Sequence, residues 1–554
     1  MTHAEPVAVP DAGPSAEIPL WVTVLLAAAI VVAYTFSLGI GALAEPDEPR
    51  YAEIAREMLA RHDWVTPTVN YVKYFEKPPL VYWLTMIVFR LFGMRDGVAR
   101  IVPVASTLGT LALTGVVGRH AYDRWVAIVG VALLATSPLM FGMGQTLTLD
   151  PALTVCLTAA LTCFWFGYHR PGRQPMLYRA MYIAIGLGVL VKGPVAIVLT
   201  GGIVAGFFVV QRDWRGVLRV VDPVGICLFA LVALPWFVLV SLRNPEFLKF
   251  FVMDQHLKRF LAPEEHHEGI WFFLPFVFAG LMPWSLGLVM VWRQLPKRTP
   301  REWSAGTWFC SIWAIVVVGF FSLSASKLAT YILPALPPLA LLCARLLQQV
   351  LARETPFGLR LGWFFTAVGW VMLVGGSVAG LLRVDPMVPQ LLPSLGAGGV
   401  VMVVTGSWLR RTHDSQRALA IALAGWSLLL CAAMAARDVT TSYRELGRVI
   451  RAQAQPSDLV VIYHHYIQGI PFYTQRRAVL VGGRGELAFG SEQGDQRDFF
   501  WREDDRLVDA WASPKRLFLV INRSELETLR PQLAPPPIEI AAEGKKVVVI
   551  NHPL

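Results

Sequence analysis

Long apolar runs separated by short polar segments organise this chain up to about residue 436. Thirteen such runs fall at 21–42, 99–118, 125–143, 150–168, 179–193, 194–211, 220–242, 271–293, 306–324, 329–350, 361–382, 394–410 and 415–436. Runs of this kind predict membrane-spanning helices, because a backbone in lipid has no polar partner except itself. One further stretch, Pro79–Phe92, is apolar but short and carries Arg90. A helix of about 14 residues rises about 21 Å, against a hydrocarbon core of about 30 Å.

Loop charge decides how that short stretch sits. If it stays on one face, then Arg119 and Arg124, Arg170 to Arg179, Arg212 to Arg219, Arg293 to Arg301, Arg345 to Arg360 and Arg410 to Arg417 all share the side of the N-terminus. The excess of basic residues in inner loops makes that side cytoplasmic. If the stretch spans, the alternation fails from there on. The pattern therefore predicts an interfacial or re-entrant helix over 79–92 and about thirteen transmembrane helices. Met1 to Pro19 holds no Lys or Arg, so the first run reads as a retained helix, not a cleaved signal peptide. Two tight helix pairs need short turns, which Lys192-Gly193-Pro194 and Ser324 to Lys327 supply.

After residue 437 the pattern changes. Asp458–Tyr463, Ala478–Val481, Arg516–Ile521 and Lys546–Ile550 read as strands, and Tyr443–Ala452 and Ser524–Leu529 as helices. The division is a membrane domain over 1–436, with external loops 43–98 and 243–270, and a small external α/β domain over 437–554. An odd number of crossings places that domain outside.

Composition agrees with this reading. The chain is 55% hydrophobic and 16% charged over 554 residues, as for a polytopic membrane protein with some soluble mass. Its net charge of +10 is scattered among short loops, and no nucleic-acid motif occurs. The six cysteines all lie in apolar runs without a C-x-x-C pair, so they read as buried small hydrophobes. The C-terminal region has neither G-x-G-x-x-G nor a P-loop, which removes a nucleotide site from consideration.

The polar residues left over on the outer face are the candidates for chemistry. Ala44-Glu45-Pro46-Asp47-Glu48-Pro49-Arg50-Tyr51 puts three carboxylates and an arginine directly after the first span. Ionisable groups there are costly to desolvate, and are paired or functional. The plain alternative is a helix start, with Asp47 as N-cap and Arg50, Glu53, Arg56 and Glu57 as spaced charge pairs. Glu76-Lys77-Pro78-Pro79 closes the first loop, with Lys77 either anchoring at the headgroups or holding a lipid phosphate. Asp150-Pro151 opens a helix, where Asp150 is either a cap or a second carboxylate for a sugar or amine. Lys192, Lys327 and Tyr331 lie at outer helix ends, and Lys327 with Tyr331 has the composition of a phosphate grip. In the loop 243–270, Arg259 suits bidentate phosphate binding, while His256, His266 and His267 with Glu76 are the candidate ligands for a divalent metal such as zinc. Outer carboxylates, several cations at headgroup depth and a bundle for greasy chains together fit sugar transfer from a polyprenyl phosphate.

The segments Glu45 to Tyr51, Phe75 to Leu80, Asp150-Pro151 and Val191 to Pro194 resemble the bacterial lipid A aminoarabinose transferases. These are relatives of the protein O-mannosyltransferases, with the GT-C membrane glycosyltransferase fold. The resemblance covers most of the membrane part, and the tail is not diagnostic. It implies an inverting transfer of 4-amino-4-deoxy-L-arabinose from undecaprenyl phosphate to a lipid A phosphate at the periplasmic face of the bacterial inner membrane, giving polymyxin and cationic-peptide resistance. The protein is expected to act as a monomer, with no required cofactor and no nucleic acid. The resemblance carries the catalytic aspartate to Asp47, a phosphate-binding lysine to Lys77 and the second carboxylate to Asp150. Glu48 is a further candidate catalytic carboxylate beside Asp47, and Glu76, Arg50, Tyr51, Lys192, Arg259, Lys327 and Tyr331, which the topology places on the same face, are the further candidates for the donor phosphate and sugar.

An acceptor phosphate is already anionic at neutral pH. Asp47 is then less a proton acceptor than a partner for the sugar ammonium or the developing oxocarbenium charge. A related mannosyltransferase is the alternative within the enzyme class. A polyprenyl-lipid flippase would need charges through the membrane depth and inverted repeats, and neither is read in the chain.

Overall fold

Among the described residues nine helices are long and apolar enough to cross a membrane, from Asp96–Ala121 to Gln416–Met434. The computed structural model describes residues 18–258, 268–291, 302–351, 357–381, 388–412, 414–435, 442–502 and 504–553. Four of the thirteen expected spans are not continuous helices of that length. Leu20–Phe36 (α1) and Val195–Gln211 have 17 residues each. The run 125–143 is divided into Arg124–Ala135 and Pro138–Met143, and the run 271–293 into Phe273–Gly280 and Trp284–Val291. Each break lies next to a proline, Pro138 or Pro283, whose ring cannot donate to the helix ladder. Hydropathy registers the run and is blind to the break.

The short apolar stretch forms the 13-residue helix Leu80–Phe92 (α3), which Gly93 ends with φ +83°. It follows a second short helix, Asp47–Ala60 (α2). The plainer of the two readings of this stretch made it a juxtamembrane helix start with spaced charge pairs. The structure buries it: Glu48, Arg50, Glu53, Arg56 and Glu57 are all at most 5% exposed. Buried charges must be paired, and these are. Arg56 forks onto Glu53 with bonds of 2.6 and 2.7 Å. Glu57 accepts from Thr68 Oγ1 at 2.6 Å and from the Tyr71 amide at 3.0 Å. Glu48 accepts from Arg100 at 2.9 and 3.0 Å, from the Leu147 amide at 2.9 Å and from the Ala44 amide at 2.9 Å. Arg100 also donates to the carbonyls of Ile40, Gly41 and Ala42. Removing one side of such a pair costs about 3–5 kcal/mol. Glu48 therefore pins the start of α2 to the bundle.

Thr68–Val69 (β1) and Val72–Lys73 (β2) make a hairpin whose two turn residues, Asn70 and Tyr71, have φ of +51° and +59°. Two positive φ values match the twist of a two-residue hairpin turn. Asn70 is fully buried, and its amide exchanges two bonds with the backbone of Ala478, at 2.8 and 2.9 Å.

Ala478 belongs to the C-terminal domain. Its sheet comprises Leu459–Tyr463 (β3), Val479–Val481 (β4), Phe500–Trp501 (β5), Leu517–Asn522 (β6), Ile538–Glu543 (β7) and Lys546–Ile550 (β8). The order is β5-β4-β3-β6-β8-β7. The first four run parallel, and β8 and β7 add antiparallel. The four expected strands and two expected helices are present to within one residue at most ends. β5 and β7 were not legible, because β5 has two residues and β7 is a half-exposed edge strand. The expected boundary at 436/437 lies outside the described residues.

The C-terminal domain sits on α2. Glu45 accepts from the amides of Gly469 at 2.6 Å and Gln468 at 3.2 Å. Tyr473 Oη accepts from the Leu43 amide at 2.9 Å, and Arg444 pairs with Asp96 at 3.2 Å. Burial between the domains pushes the Glu45 carboxyl up to about 7, against the two amide bonds and Arg50, which pull it down.

Replacing Asn70 by Ala leaves the Ala478 amide and carbonyl unpartnered inside the interface. A loss of about 2–4 kcal/mol is expected for the two groups, read as a lower melting temperature in detergent, and an unchanged melting temperature would refute the docking role. Glu45 gives a pH test. A carboxyl whose folded value is raised adds stability below its unfolded value near 4.5 and loses it as pH rises through about 7. The wild-type protein should lose stability between pH 5 and pH 8, and Glu45→Gln should flatten that slope; a wild-type slope of opposite sign would refute it.

Candidate active site

The first turn of α2 carries Asp47, Arg50 and Tyr51. Helix spacing puts Asp47 and Arg50 three residues apart on one face, where they form an ion pair. The residue preceding the helix is Pro46, which makes no side-chain cap bond. The capping role foreseen for Asp47 is thus replaced by the Arg50 contact. Asp47 keeps 48% of its side chain exposed, while Arg50 keeps 6%. Arg50 also pairs with Glu486, from the C-terminal domain.

Arg50 and Tyr51 gather further groups. The Arg50 guanidinium carbon lies 5.1 Å from the centre of the Tyr51 ring, and the Tyr51 and Tyr82 rings are 6.0 Å apart. Burial pushes the Tyr51 phenol above its ordinary value, Arg50 pulls it back, and Asp47, Glu76 and Asp150 push it further up. Carboxylates from three separate segments therefore lie close enough to act electrostatically on one hydroxyl. Tyr74 and Tyr82 are fully buried beside Arg50, and their hydroxyls have no hydrogen-bond partner among the described residues. Sequence reading missed both, since a tyrosine near a membrane surface reads as an interfacial anchor. Their spacing about Glu76, at two residues before and six after, was the available signal.

The second carboxylate is built the same way. Asp150 is the first residue of the helix Asp150–His169, and no backbone amide donates to its side chain. It pairs with Lys192 instead. Lys192 ends the helix Gln174–Lys192, and Gly193 turns the chain with φ +77°, which glycine adopts without steric cost. The Lys192 ammonium stands 4.3 Å from the centre of the Tyr331 ring, a cation–π contact. Tyr331 is thus the partner of Lys192, where its spacing had matched it with Lys327. Lys327 is 5% exposed and donates to the Glu268 carbonyl at 2.7 Å.

Glu76 and Lys77 are half-buried between Phe75 and Pro78-Pro79. Arg259, His266 and His267 lie outside the described residues, as does the side chain of His256. Among the described residues no three His, Cys, Asp or Glu side chains converge as a metal site. The oxygens of Glu48 are engaged by Arg100 and by the amides of Leu147 and Ala44, and so pair within the fold. The assembled site is a set of carboxylate–cation pairs, Asp47 with Arg50 and Asp150 with Lys192, around tyrosine hydroxyls at the end of a helix bundle. It can exchange internal partners for phosphates and a cationic sugar without stranding a charge.

Two family models match the chain: "Dolichyl-phosphate-mannose-protein mannosyltransferase" over residues 20–251 and "Aminoarabinose transferase C-terminal domain" over residues 446–551. Fold and site define a membrane glycosyltransferase of the GT-C type. An undecaprenyl phosphate-alpha-4-amino-4-deoxy-L-arabinose arabinosyl transferase from Enterobacter sp. is 33% identical over 365 residues, 64% of this chain and 63% of that protein. The second such enzyme of Sodalis glossinidius is 30% identical over 495 residues, 86% of this chain and 88% of its own length. The crystal structure of ArnT from Cupriavidus metallidurans bound to undecaprenyl phosphate superposes with a TM-score of 0.85 at 27% identity, covering 96% of this chain and 98% of that one. The chain belongs to the family of undecaprenyl phosphate-aminoarabinose arabinosyl transferases.

Because the Tyr74 and Tyr82 hydroxyls have no hydrogen-bond partner among the described residues, Tyr74→Phe and Tyr82→Phe should not lower the melting temperature. If the hydroxyls meet substrate, kcat/KM falls about tenfold, a hydrogen bond to a charged group being worth about 1.5–3 kcal/mol. Full activity in both variants would remove these hydroxyls from the site.

Proposed function

We propose that this protein transfers 4-amino-4-deoxy-L-arabinose from undecaprenyl phosphate to a lipid A phosphate at the periplasmic face of the bacterial inner membrane, with inversion at the sugar. The observation that carries this reading is the pairing of Asp47 with Arg50 and of Asp150 with Lys192 about Tyr51, at one end of the bundle. Membership of the family supplies donor and sugar. The arginine-rich inner loops support the orientation. A lipid-linked donor suits a site beside apolar helices, and no cofactor is needed to activate it.

In the reaction an acceptor phosphate oxygen attacks the anomeric carbon. The bond from that carbon to the donor phosphate breaks, and its electron pair stays on undecaprenyl phosphate. Lys77 and Lys192 lie on the segments suited to meet the growing negative charge, where a preorganised cation lowers the barrier. Arg259, Lys327 and Tyr331 complete the headgroup side of this reading. Asp47 faces the sugar, either at its ammonium or at the oxocarbenium charge, since an acceptor that is already an anion needs no strong base. A zinc ion held by Glu76 with His256, His266 and His267 is a further possibility of the loop chemistry, outside this scheme.

Asp47→Ala should abolish transfer while leaving a folded protein. Mass spectrometry of lipid A from cells expressing the wild type should show the added mass of a pentosamine, absent with the variant. An equal pentosamine signal from a well-expressed Asp47→Ala would refute the role.

A further inference from the structure

We propose that an arginine-lined cavity in the C-terminal domain holds the second phosphate of the acceptor headgroup while the first is at the sugar-transfer site. The inference rests on the reading that the acceptor is lipid A, whose disaccharide carries a phosphate at each end. The cavity has a volume of about 830 Å³, and Arg484, Arg497, Arg502 and Arg506 line it against only two carboxylates, Glu492 and Asp495. Four guanidiniums to two carboxylates leave a positive field in a concave site, which draws an anion of matching size.

The arginines are unequally committed. Arg484 donates to Ser491 Oγ at 2.9 Å, and Arg506 donates to the Arg497 carbonyl at 2.7 Å and to Asp498 at 3.1 Å. Arg497 meets Asp495 only at 3.5 Å, with 86% of its side chain exposed. Arg502 is exposed and has no hydrogen-bond or ion-pair partner among the described residues. Two guanidiniums are therefore held in place at the wall, and two remain available to fork onto phosphate oxygens.

What ties this cavity to the site is the segment between Arg484 and Ser491. Its Glu486 pairs with Arg50. Its Phe489 stacks on Phe250 at 3.9 Å and packs on Phe75, the neighbour of Glu76, at 5.9 Å. Gly490 lies so close to β2 that a Cβ there would meet the Lys73 carbonyl at 2.4 Å. One short segment thus meets Arg50, Lys73 and Phe75 of the membrane domain while its two ends line the arginine cavity. A headgroup engaged at both places spans from the donor site to the C-terminal domain, which gives that domain a part in choosing the acceptor.

The test is steady-state transfer by the full-length purified enzyme to diphosphoryl and monophosphoryl lipid A, the latter lacking the phosphate assigned to the cavity. Arg497→Ser/Arg502→Ser removes two exposed side chains, so its melting temperature should match the wild type. The expected result is about a tenfold higher KM for diphosphoryl lipid A, with kcat and the donor KM unchanged and with no difference between variant and wild type on the monophosphoryl acceptor. An unchanged KM for diphosphoryl lipid A overturns the inference, as does an equal rise for both acceptors. Wild-type enzyme that transfers sugar to neither lipid removes the acceptor reading itself, and this inference with it.

Discussion

The charge on Arg50 is the constraint from which the site follows. At 5% exposure it has lost nearly all contact with solvent, and a guanidinium cannot shed its proton to escape the cost. It must be compensated by carboxylates, and it takes one from each domain, Asp47 from its own helix turn and Glu486 from across the interface. The same group therefore aims the exposed carboxylate of the site and fastens the C-terminal domain over it. Tyr51, Tyr74 and Tyr82 crowd the remaining faces, so the guanidinium has one place to be.

Burying α2 with five charges is what makes this possible. An apolar helix here would be cheaper to desolvate, but it would not fix direction. The Glu48–Arg100 contact reaches three backbone carbonyls and the Leu147 amide, so it locks the end of α1 and the start of α2 against the segment leading to Asp150. One buried network thereby ties the segment that carries Asp47 to the segment that leads to Asp150. Each of the two carboxylates already has a cation beside it, Asp47 the Arg50 guanidinium and Asp150 the Lys192 ammonium.

Much of this was legible in the chain. Span length and loop charge placed Asp47, Glu76, Asp150 and Lys192 on one face, and in the structure Asp47, Glu76 and Asp150 all lie close enough to act electrostatically on the Tyr51 phenol. The membrane–α/β division was visible as a change of period from long apolar runs to short alternating strands. What stayed hidden was partner choice. Tyr331 was matched to Lys327 by spacing, yet it lies under Lys192, because its 3₁₀ turn and the Gly193 bend meet in space. Asp47 and Asp150 both have the sequence context of caps, and neither caps.

The sequence by itself determined which groups share a membrane face, since solvent and lipid sort residues by local composition regardless of contacts. It also determined the strands of the C-terminal domain, whose alternation is local. Only the tertiary structure decided that Glu48 pairs with Arg100, that Glu486 from more than four hundred residues away joins Asp47 at Arg50, and that the Tyr74 and Tyr82 hydroxyls have no hydrogen-bond partner among the described residues. Pairing of buried charges is a three-dimensional problem. A carboxylate accepts whichever cation the packing brings within reach, and no spacing along the chain records that.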